Sequence, residues 1–156
     1  MKSAGFSFIE LMASLAIMAA LLLIAVPSAR LASQRHREAE LRVALTQIRG
    51  AIDKYKKATE QGRIPLKAGE SGYPPNLTVL VEGVTDAADP KARKLYFLRR
   101  LPADPFYSGS STVAEASWGL RSYESPPDDP SAGDDVFDVF SLSRQTGLNG
   151  IPYSQW

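Results

Sequence analysis

Hydrophobic residues are concentrated in one run near the start of the chain. Between residues 6 and 26, 18 of 21 residues are apolar, and the exceptions are Ser7, Glu10 and Ser14. A helix of this length is about 32 Å long, close to the thickness of the hydrocarbon core of a bilayer. The run predicts a transmembrane helix, because it is longer than the apolar core of an ordinary cleaved secretory signal. Small residues between positions 25 and 29 leave a cleaved signal as the alternative.

An amphipathic pattern follows Pro27. Residues 28–40 carry charges around most of the helix circumference, and apolar residues then recur at steps of three and four, namely Leu41, Leu45, Ile48, Ile52 and Tyr55. This spacing predicts a helix with one buried face, ended by Gly62. Pro27 is expected to close or kink the preceding helix, because it removes a backbone donor and clashes with the previous turn. Gly50 is expected to mark close packing between the helix and the rest of the chain.

The remainder of the chain has the composition of loops and short strands, with 10 Pro and 9 Gly among residues 62–156. Residues 76–82 are compatible with a short helix. Residues 118–123 and 136–142 are rich in β-branched and aromatic side chains, which favours strands. We expect these strands to pair antiparallel across the polar loop 124–135 and to pack on the apolar stripe. The pattern as a whole predicts an α+β protein.

The side-chain inventory argues against an enzyme. The chain has no cysteine, and its single histidine, His36, lies in a run of charges and is predicted to be a solvated surface residue. A thiolate nucleophile, a multi-histidine metal site and a histidine-dependent triad are therefore excluded within one chain. No Gly-rich phosphate loop and no Ser-centred nucleophile motif occurs. Tyr153 and Trp156 are expected to seal the C-terminal tail against the head rather than to contact a ligand.

Charge is distributed unevenly although the net charge is only +1. Residues 27–61 contain eight Lys or Arg against four Asp or Glu, whereas residues 62–156 contain nine against twelve. This arrangement is compatible with complementary surfaces on neighbouring copies, and equally with ordinary solvated charge. Because the C-terminal part is acidic, nucleic-acid binding is not predicted.

Glu10 is the only charged residue in the apolar run. A carboxylate near the centre of a transmembrane helix costs about 2.5–3.5 kcal/mol, and less near the membrane edge. Glu10 can therefore pair with a positive charge from outside the run, or it can reach the headgroups from its place near the start. Lys2 alone precedes the run and three arginines follow it before residue 38, so the positive-inside rule by itself favours an external N-terminus.

The first ten residues resemble a processing signal. Lys2-Ser3-Ala4-Gly5 followed by Phe6-Ser7-Phe8-Ile9-Glu10 is similar to the prepilin signal of type IV pilins and type II secretion pseudopilins. In that family a membrane peptidase cuts after the glycine on the cytoplasmic side and methylates the new amino group. The resemblance implies processing at Gly5 and Phe6, and pairing of Glu10 with the Phe6 ammonium of a neighbouring subunit. Pro27 falls where the family places a helix-distorting proline.

The later segments resemble the major, G-type pseudopilin of type II secretion. They are a Tyr-Pro turn at residues 73–74, the run 99–105 and the strand 135–141 that leads into a short tail. The resemblance implies a type IV pilin-like fold in which a long N-terminal helix packs on a small antiparallel sheet. Its parts would be a leader (residues 1–5), a transmembrane helix (6–27), an amphipathic stem helix (28–61) and a periplasmic globular head (62–156).

This resemblance implies a single-pass inner-membrane protein with a cytoplasmic N-terminus and a periplasmic head. Its partners would be the prepilin peptidase and methyltransferase, membrane lipid, an inner-membrane assembly platform with its ATPase, and sister pseudopilins in a periplasmic filament that drives protein export. The alternatives are a minor type IV pilin of a surface or DNA-uptake pilus and, from another class, a signal-anchored periplasmic binding module.

The chain departs from this family at its calcium site. Major pseudopilins of this type bind calcium through aspartates in the loop after the last strand, but here no Asp or Glu lies beyond Asp138. Calcium takes about six to eight oxygen ligands, commonly including carboxylates. We therefore predict no cofactor. The alternative is a calcium site in the neighbouring acidic loop, with oxygens from Asp128, Asp129, Asp134 and Asp135. Against this alternative stands an acidic loop that is simply solvated.

Overall fold

The computed structural model describes residues 7–111 and 113–156. The helices are α1 (Phe8–Glu60) and α2 (Thr78–Glu82), with 3-10 turns at Ala114–Ser117 and Tyr153–Gln155. The strands are β1 (Val84–Thr85), β2 (Lys94–Leu95), β3 (Trp118–Arg121) and β4 (Asp138–Ser141). Strand β1 pairs with β2 and β3 pairs with β4, both antiparallel. The α+β prediction is confirmed, and the arrangement is consistent with a type IV pilin-like fold.

The chain divides into two compact units, Met1–Arg37 and Glu38–Trp156. In the first unit, the described large apolar side chains of α1 are exposed, with Phe8 at 77% and Leu23 at 79%. By length and composition α1 can cross a membrane, a test that a signal sequence near the N-terminus also passes. Burial of this surface must therefore come from lipid or from other chains.

Helix α1 continues through Pro27, so of the two effects expected of this proline, closing the helix is excluded and kinking it stays a prediction. A proline removes one hydrogen bond from the helical ladder and disturbs the turn before it. Good helix formers such as Ala and Leu lie before and after it, and propagation of an existing helix needs only one bond per residue. The transmembrane helix 6–27 and the stem helix 28–61 of the sequence analysis are thus parts of one helix.

The apolar stripe of α1 forms the core of the second unit, as predicted. Leu41 and Ile48 are fully buried, and Leu45, Ile52 and Tyr55 are buried as well. The stripe belongs to one hydrophobic cluster with residues of the β3–β4 region, namely Trp118, Val136 and Val139. Burial of such side chains contributes roughly 1.5–3 kcal/mol each, which makes this cluster the main source of stability in the unit.

Helix α1 ends in a Schellman motif at Gly62, confirming the predicted stop. Gly62 has a φ of 71° and donates its backbone N–H to the Thr59 carbonyl at 2.9 Å. The N–H of Arg63 donates to the Ala58 carbonyl at 3.0 Å. Both bonds satisfy carbonyls that the helix end would otherwise leave open, and the left-handed conformation favours glycine.

The prediction for Gly50 is wrong. A Cβ added at this residue would meet no atom within 4 Å outside the local helix backbone, so nothing packs closely against it. A close approach occurs instead at Gly119 in β3, where a Cβ would lie 2.3 Å from the ring of Phe140 on the paired strand β4. Packing therefore leaves no room for a Cβ at Gly119 in the sheet, whereas it leaves room at Gly50 in the helix.

The predicted strand pair exists, but both strands are shorter than residues 118–123 and 136–142. Trp118 faces Ser141 and Arg121 faces Asp138 in the antiparallel register. The short helix predicted at residues 76–82 is found as α2, whereas the β1–β2 pair was not predicted. Two-residue strands carry no alternation of polar and apolar positions, which is the signal used to detect them.

The C-terminal tail is held by aromatic contacts, as predicted. Tyr153 is fully buried, and its ring stacks on Phe106 with 4.1 Å between ring centroids. Trp156 meets Tyr153 edge to face at 5.0 Å. An isolated bridge between Thr146 and Pro152 closes the tail on itself.

Candidate functional site

The four residues predicted to act in processing and assembly all precede residue 28. Gly5 and Phe6 lie outside the described residues. Glu10 lies in the first turn of α1 and Pro27 lies on the same helix. At about 1.5 Å of rise per residue, these two are roughly 25 Å apart along the helix axis, so they do not form a common site.

Glu10 caps the start of its own helix. The backbone N–H of Ser7 donates to Glu10 Oε2 at 3.1 Å, and α1 begins at Phe8. Ser7 is thus the N-cap residue and Glu10 is the third helical residue, the spacing at which an acidic side chain reaches back to the N-cap. A carboxylate in the first turn also interacts favourably with the helix dipole.

The sequence analysis did not consider this hydrogen bond, in which the partner of Glu10 is the backbone of its own chain. The neighbouring side chains Phe8, Ile9 and Leu11 are exposed and apolar, so the carboxylate sits in an apolar surface. One of its oxygens is satisfied by the chain's own backbone. The Ser-x-x-Glu spacing at residues 7–10 was the sequence signal that could have revealed it.

Glu38 is a buried carboxylate that the sequence analysis did not single out. It is 5% exposed, and its Oε1 accepts hydrogen bonds from the Leu148 N–H at 2.8 Å and from the Tyr153 hydroxyl at 2.9 Å. Glu38 therefore fixes the C-terminal tail to α1. It lies three residues before Leu41, which places it on the buried stripe, and that spacing was the signal missed.

Arg49 binds α1 to strand β4 and to the last residue of the tail. Its Nε donates to Asp138 Oδ1 at 2.7 Å, and its Nη2 donates to the carbonyls of Val139 at 3.0 Å and of Trp156 at 2.8 Å. The Arg42 guanidinium lies 4.4 Å from the centre of the Trp156 ring. These contacts hold α1, strand β4 and the end of the tail together.

The acidic residues 128, 129, 134 and 135 do not come together as a metal site. Asp135 accepts hydrogen bonds from the Tyr123 N–H at 2.8 Å and from the Ser71 hydroxyl. Asp128, Asp129 and Asp134 are exposed. Within residues 7–111 and 113–156, no group of three His, Cys, Asp or Glu side chains is placed to hold a metal ion.

Arg63, at the end of α1, forms an ion pair with a buried carboxylate. Its Nη2 and Nε donate to Asp86 Oδ2 at 2.5 and 3.1 Å. The hydrogen bond from Arg63 holds the pKa of Asp86 below its ordinary value, although desolvation opposes this shift. The backbone N–H of Ala88, which donates to Asp86 Oδ1 at 3.0 Å, acts in the same direction as Arg63.

The clefts of the second unit include a larger and a smaller one. The larger, of about 740 Å³, includes Leu66, Tyr73 and Tyr123 in its wall. The smaller, of about 320 Å³, has a basic and aromatic wall, and we call it the basic groove; its lining residues are Lys54, Lys57, Ala58, Gln61, Arg63, Leu95, Tyr96 and Phe97.

Comparison with known proteins bears on the N-terminal part of the chain. Residues 1–26 match the family described as the prokaryotic N-terminal methylation motif. The match includes Gly5, Phe6 and Glu10, and it supports a pilin-like chain that is anchored in the membrane by a single helix. Neither the curated proteins nor the solved structures contain a match to the chain.

Proposed function

We propose that this chain is a structural subunit of a periplasmic filament, and specifically a divergent G-type pseudopilin of a type II secretion system. The observation that carries the proposal is the methylation motif at residues 1–26, continued by an apolar helix whose described side chains are exposed. Such a surface is stable in lipid and, after assembly, against the same surface of other subunits. The proposed role is mechanical, and it includes no enzymatic activity and no cofactor.

The proposed topology places residues 1–5 in the cytoplasm and residues 62–156 in the periplasm. Prepilin peptidase would cut after Gly5 and methylate the amino group of Phe6. The resulting ammonium is the positive charge that the apolar run otherwise lacks. Glu10 of an arriving subunit would then exchange its bond with Ser7 for an ion pair with this ammonium on a subunit already in the filament, which sets the register between copies.

The proposed partners follow from this sequence of events. They are the prepilin peptidase and methyltransferase, membrane lipid, sister pseudopilins, and an inner-membrane platform with its ATPase that adds subunits to the filament. Export of folded proteins would result from growth of the filament. Nucleic acid is not among the proposed partners.

A minor pilin of a surface or DNA-uptake pilus is the second candidate. The methylation motif supports it equally, because pilins and pseudopilins share that signal. The absence of a cysteine pair and the G-type resemblance of residues 99–105 and 135–141 favour the pseudopilin.

The first test is the mass of the mature protein isolated from its host. We expect a chain that begins at an N-methylated Phe6, and an intact Met1 would contradict the proposal. The second test separates the two candidates by co-expression with the assembly platform and ATPase of either a type II secretion system or a pilus machine. Filaments that contain this chain are expected with the former, and filaments formed only with the latter would identify a pilin.

A further inference from the structure

We infer that the basic groove binds the acidic loop, residues 124–135, of a second copy of this chain. The inference rests on the proposed assembly of copies into a filament, but it concerns a contact between the second units that neither the methylation motif nor Glu10 specifies. The occupant is identified by charge complementarity between two surfaces of the same chain.

The groove offers cations that the chain itself does not neutralise. The side chains of Lys54 and Lys57 are exposed, and within the described residues 7–111 and 113–156 they form no hydrogen bond or ion pair. Arg63 adds a third cation, although it is shared with Asp86. The nearest acidic residue in sequence is Asp53 for Lys54 and Glu60 for Lys57; both are exposed, and Glu60 pairs with Lys56 at 3.4 Å.

Aromatic residues complete the wall of the groove. Tyr96 is 66% exposed, which is unusual for a large ring, and a Cβ added at Gly83 would lie 2.9 Å from that ring. Phe97 is anchored by its N–H, which donates to the Leu80 carbonyl at 3.0 Å, and its ring lies 5.4 Å from that of Tyr55. A surface with exposed aromatic rings and arginine at its edge has the composition of a protein interface.

The acidic loop has the complementary charge and a fixed shape. Its exposed acidic residues form no side-chain hydrogen bond or ion pair with residues that the structure describes, and they are Glu124, Asp128, Asp129 and Asp134. Ser125 is buried, and its hydroxyl accepts the Ser131 N–H at 2.8 Å and donates to the Asp129 carbonyl at 3.2 Å. With prolines at three further positions, the loop loses little freedom when it binds.

The groove and the loop lie on different flanks of α1, and within one copy no ion pair joins them among the residues that the structure describes. Ser71 connects the acidic loop to the side of α1 that carries Lys56. Its hydroxyl donates to Asp135, and its carbonyl accepts a hydrogen bond from Lys56 Nζ at 2.9 Å. At about 100° per residue, Lys54 lies roughly 160° around the helix from Lys56, and Lys57 lies roughly 100° from it. A contact between two different surfaces is heterologous, and repetition of such a contact builds an open helical filament when the rotation between copies does not close into a ring.

Disulfide trapping in the full chain tests this contact. The chain has no cysteine, so single substitutions report only on the introduced positions. One copy carries Lys57→Cys and a second, of different size through a tag, carries Asp129→Cys. Under mild oxidation in host membranes, we expect a mixed dimer at about tenfold the yield of a control pair in which Arg144→Cys, an exposed tail position, replaces Lys57→Cys.

A charge-reversal cycle in the same assay separates electrostatic docking from chance encounter. Lys54→Glu in the first copy and Asp128→Lys in the second should each lower the yield by about two- to fivefold, as for exposed ion pairs. Together they should restore it, because the new charges attract. The yield of the mixed dimer should also fall when the salt concentration is raised from about 0.05 M to about 0.5 M, because salt screens the attraction between the exposed charges.

Three outcomes would overturn the inference. Exclusive pairing of Lys57→Cys with itself would show a symmetric contact, and a yield equal to the control would show that no specific contact exists. Binding of a double-stranded DNA oligonucleotide that Lys54→Glu weakens, without any mixed dimer, would assign the groove to a polyanion. The mature N-terminus is measured in the same membranes. Retention of Met1 would contradict the proposed function. A missing mixed dimer in filaments of processed chains would contradict the contact between the groove and the loop.

Discussion

The Glu38 carboxylate accepts a hydrogen bond at 2.9 Å from the hydroxyl of Tyr153, 115 residues further along the chain. Both residues are buried, and the Leu148 N–H donates to the same oxygen. A residue near the start of the second unit thus organises its end. Without Glu38, the hydroxyl of the buried Tyr153 and the N–H of Leu148 would lack this acceptor.

Glu38→Ala is expected to destabilise the second unit by about 2–4 kcal/mol, since the buried Tyr153 hydroxyl loses this acceptor at a cost of about 1–3 kcal/mol and the Leu148 N–H loses a hydrogen bond worth about 1 kcal/mol. Tyr153→Phe removes one donor from the buried Glu38 carboxylate, which keeps the Leu148 N–H, and should cost about 1.5–3 kcal/mol as for a hydrogen bond to a charged group. Denaturant unfolding of the detergent-solubilised chain, followed by tryptophan fluorescence, measures both. Asp53→Asn, at an exposed position of the same helix, is the control and should change stability by less than about 0.5 kcal/mol.

Gly50 and Gly119 make a matched pair of predictions with opposite sign. Gly50→Ala adds a methyl group that meets no atom within 4 Å, so the higher helix propensity of alanine should stabilise the unit by about 0.5–1 kcal/mol. Gly119→Ala places the same group 2.3 Å from the Phe140 ring and should destabilise it by about 1–3 kcal/mol. Equal effects of the two substitutions in the unfolding assay would show that neither local environment decides stability.

The pair of glycines also shows what a sequence pattern can and cannot predict. The stripe from Leu41 to Tyr55 and the stop at Gly62 follow from local spacing and local backbone conformation, and both were predicted. Packing at Gly119 depends on the register of β3 against β4, because a shift of one residue would place a different side chain over it. Local pattern does not contain that register.

Burial of Glu38 escaped prediction for a related reason. Acidic residues are rarely buried unless they are paired, and the partners Leu148 and Tyr153 lie in a tail without periodicity. For Pro27 the sequence left closing and kinking of the helix open, and the helix of 53 residues that runs through it excludes closing. The processing signal at Gly5 and Phe6 was found through a motif, and its role stays a prediction because those residues lie outside the described part of the chain.

The Arg63–Asp86 ion pair predicts how stability depends on pH. The unfolded pKa of an aspartate is about 3.9, and in the folded chain the pKa of Asp86 lies lower because Arg63 donates to its carboxylate. The folded state therefore binds fewer protons than the unfolded state in this range. The stabilisation is complete above the unfolded pKa and is lost as the pH falls through the folded pKa.

Asp86→Asn should accordingly reduce the loss of stability that occurs on acidification from about pH 5 towards pH 2. Asp89 also has a lowered pKa, chiefly through the Lys91 N–H and then Arg93, so part of the acid dependence should remain. Unfolding free energies at several pH values measure the slope. Asp128→Asn, at an exposed loop position, is the control, and a slope that the Asp86 variant shares with the wild type would exclude the ion pair as its source.

Glu10 offers a test that separates its two hydrogen-bonding roles. Glu10→Gln keeps an oxygen that can accept the Ser7 N–H, so it preserves the cap of α1, but it removes the charge. Glu10→Ala removes both. If Glu10 acts by pairing with the Phe6 ammonium, both variants should insert and be processed normally, and both should fail to form filaments. If its role is the cap, the glutamine variant should assemble and only the alanine variant should fail.

Membrane fractionation, N-terminal mass and filament yield after shearing give the three readings, with Ser14→Ala as a control one turn further along the same exposed helix. We expect both variants to fail to form filaments. A cap contributes only about 0.5–2 kcal/mol, whereas the Phe6 ammonium, left without a partner in an apolar assembly, costs several times more.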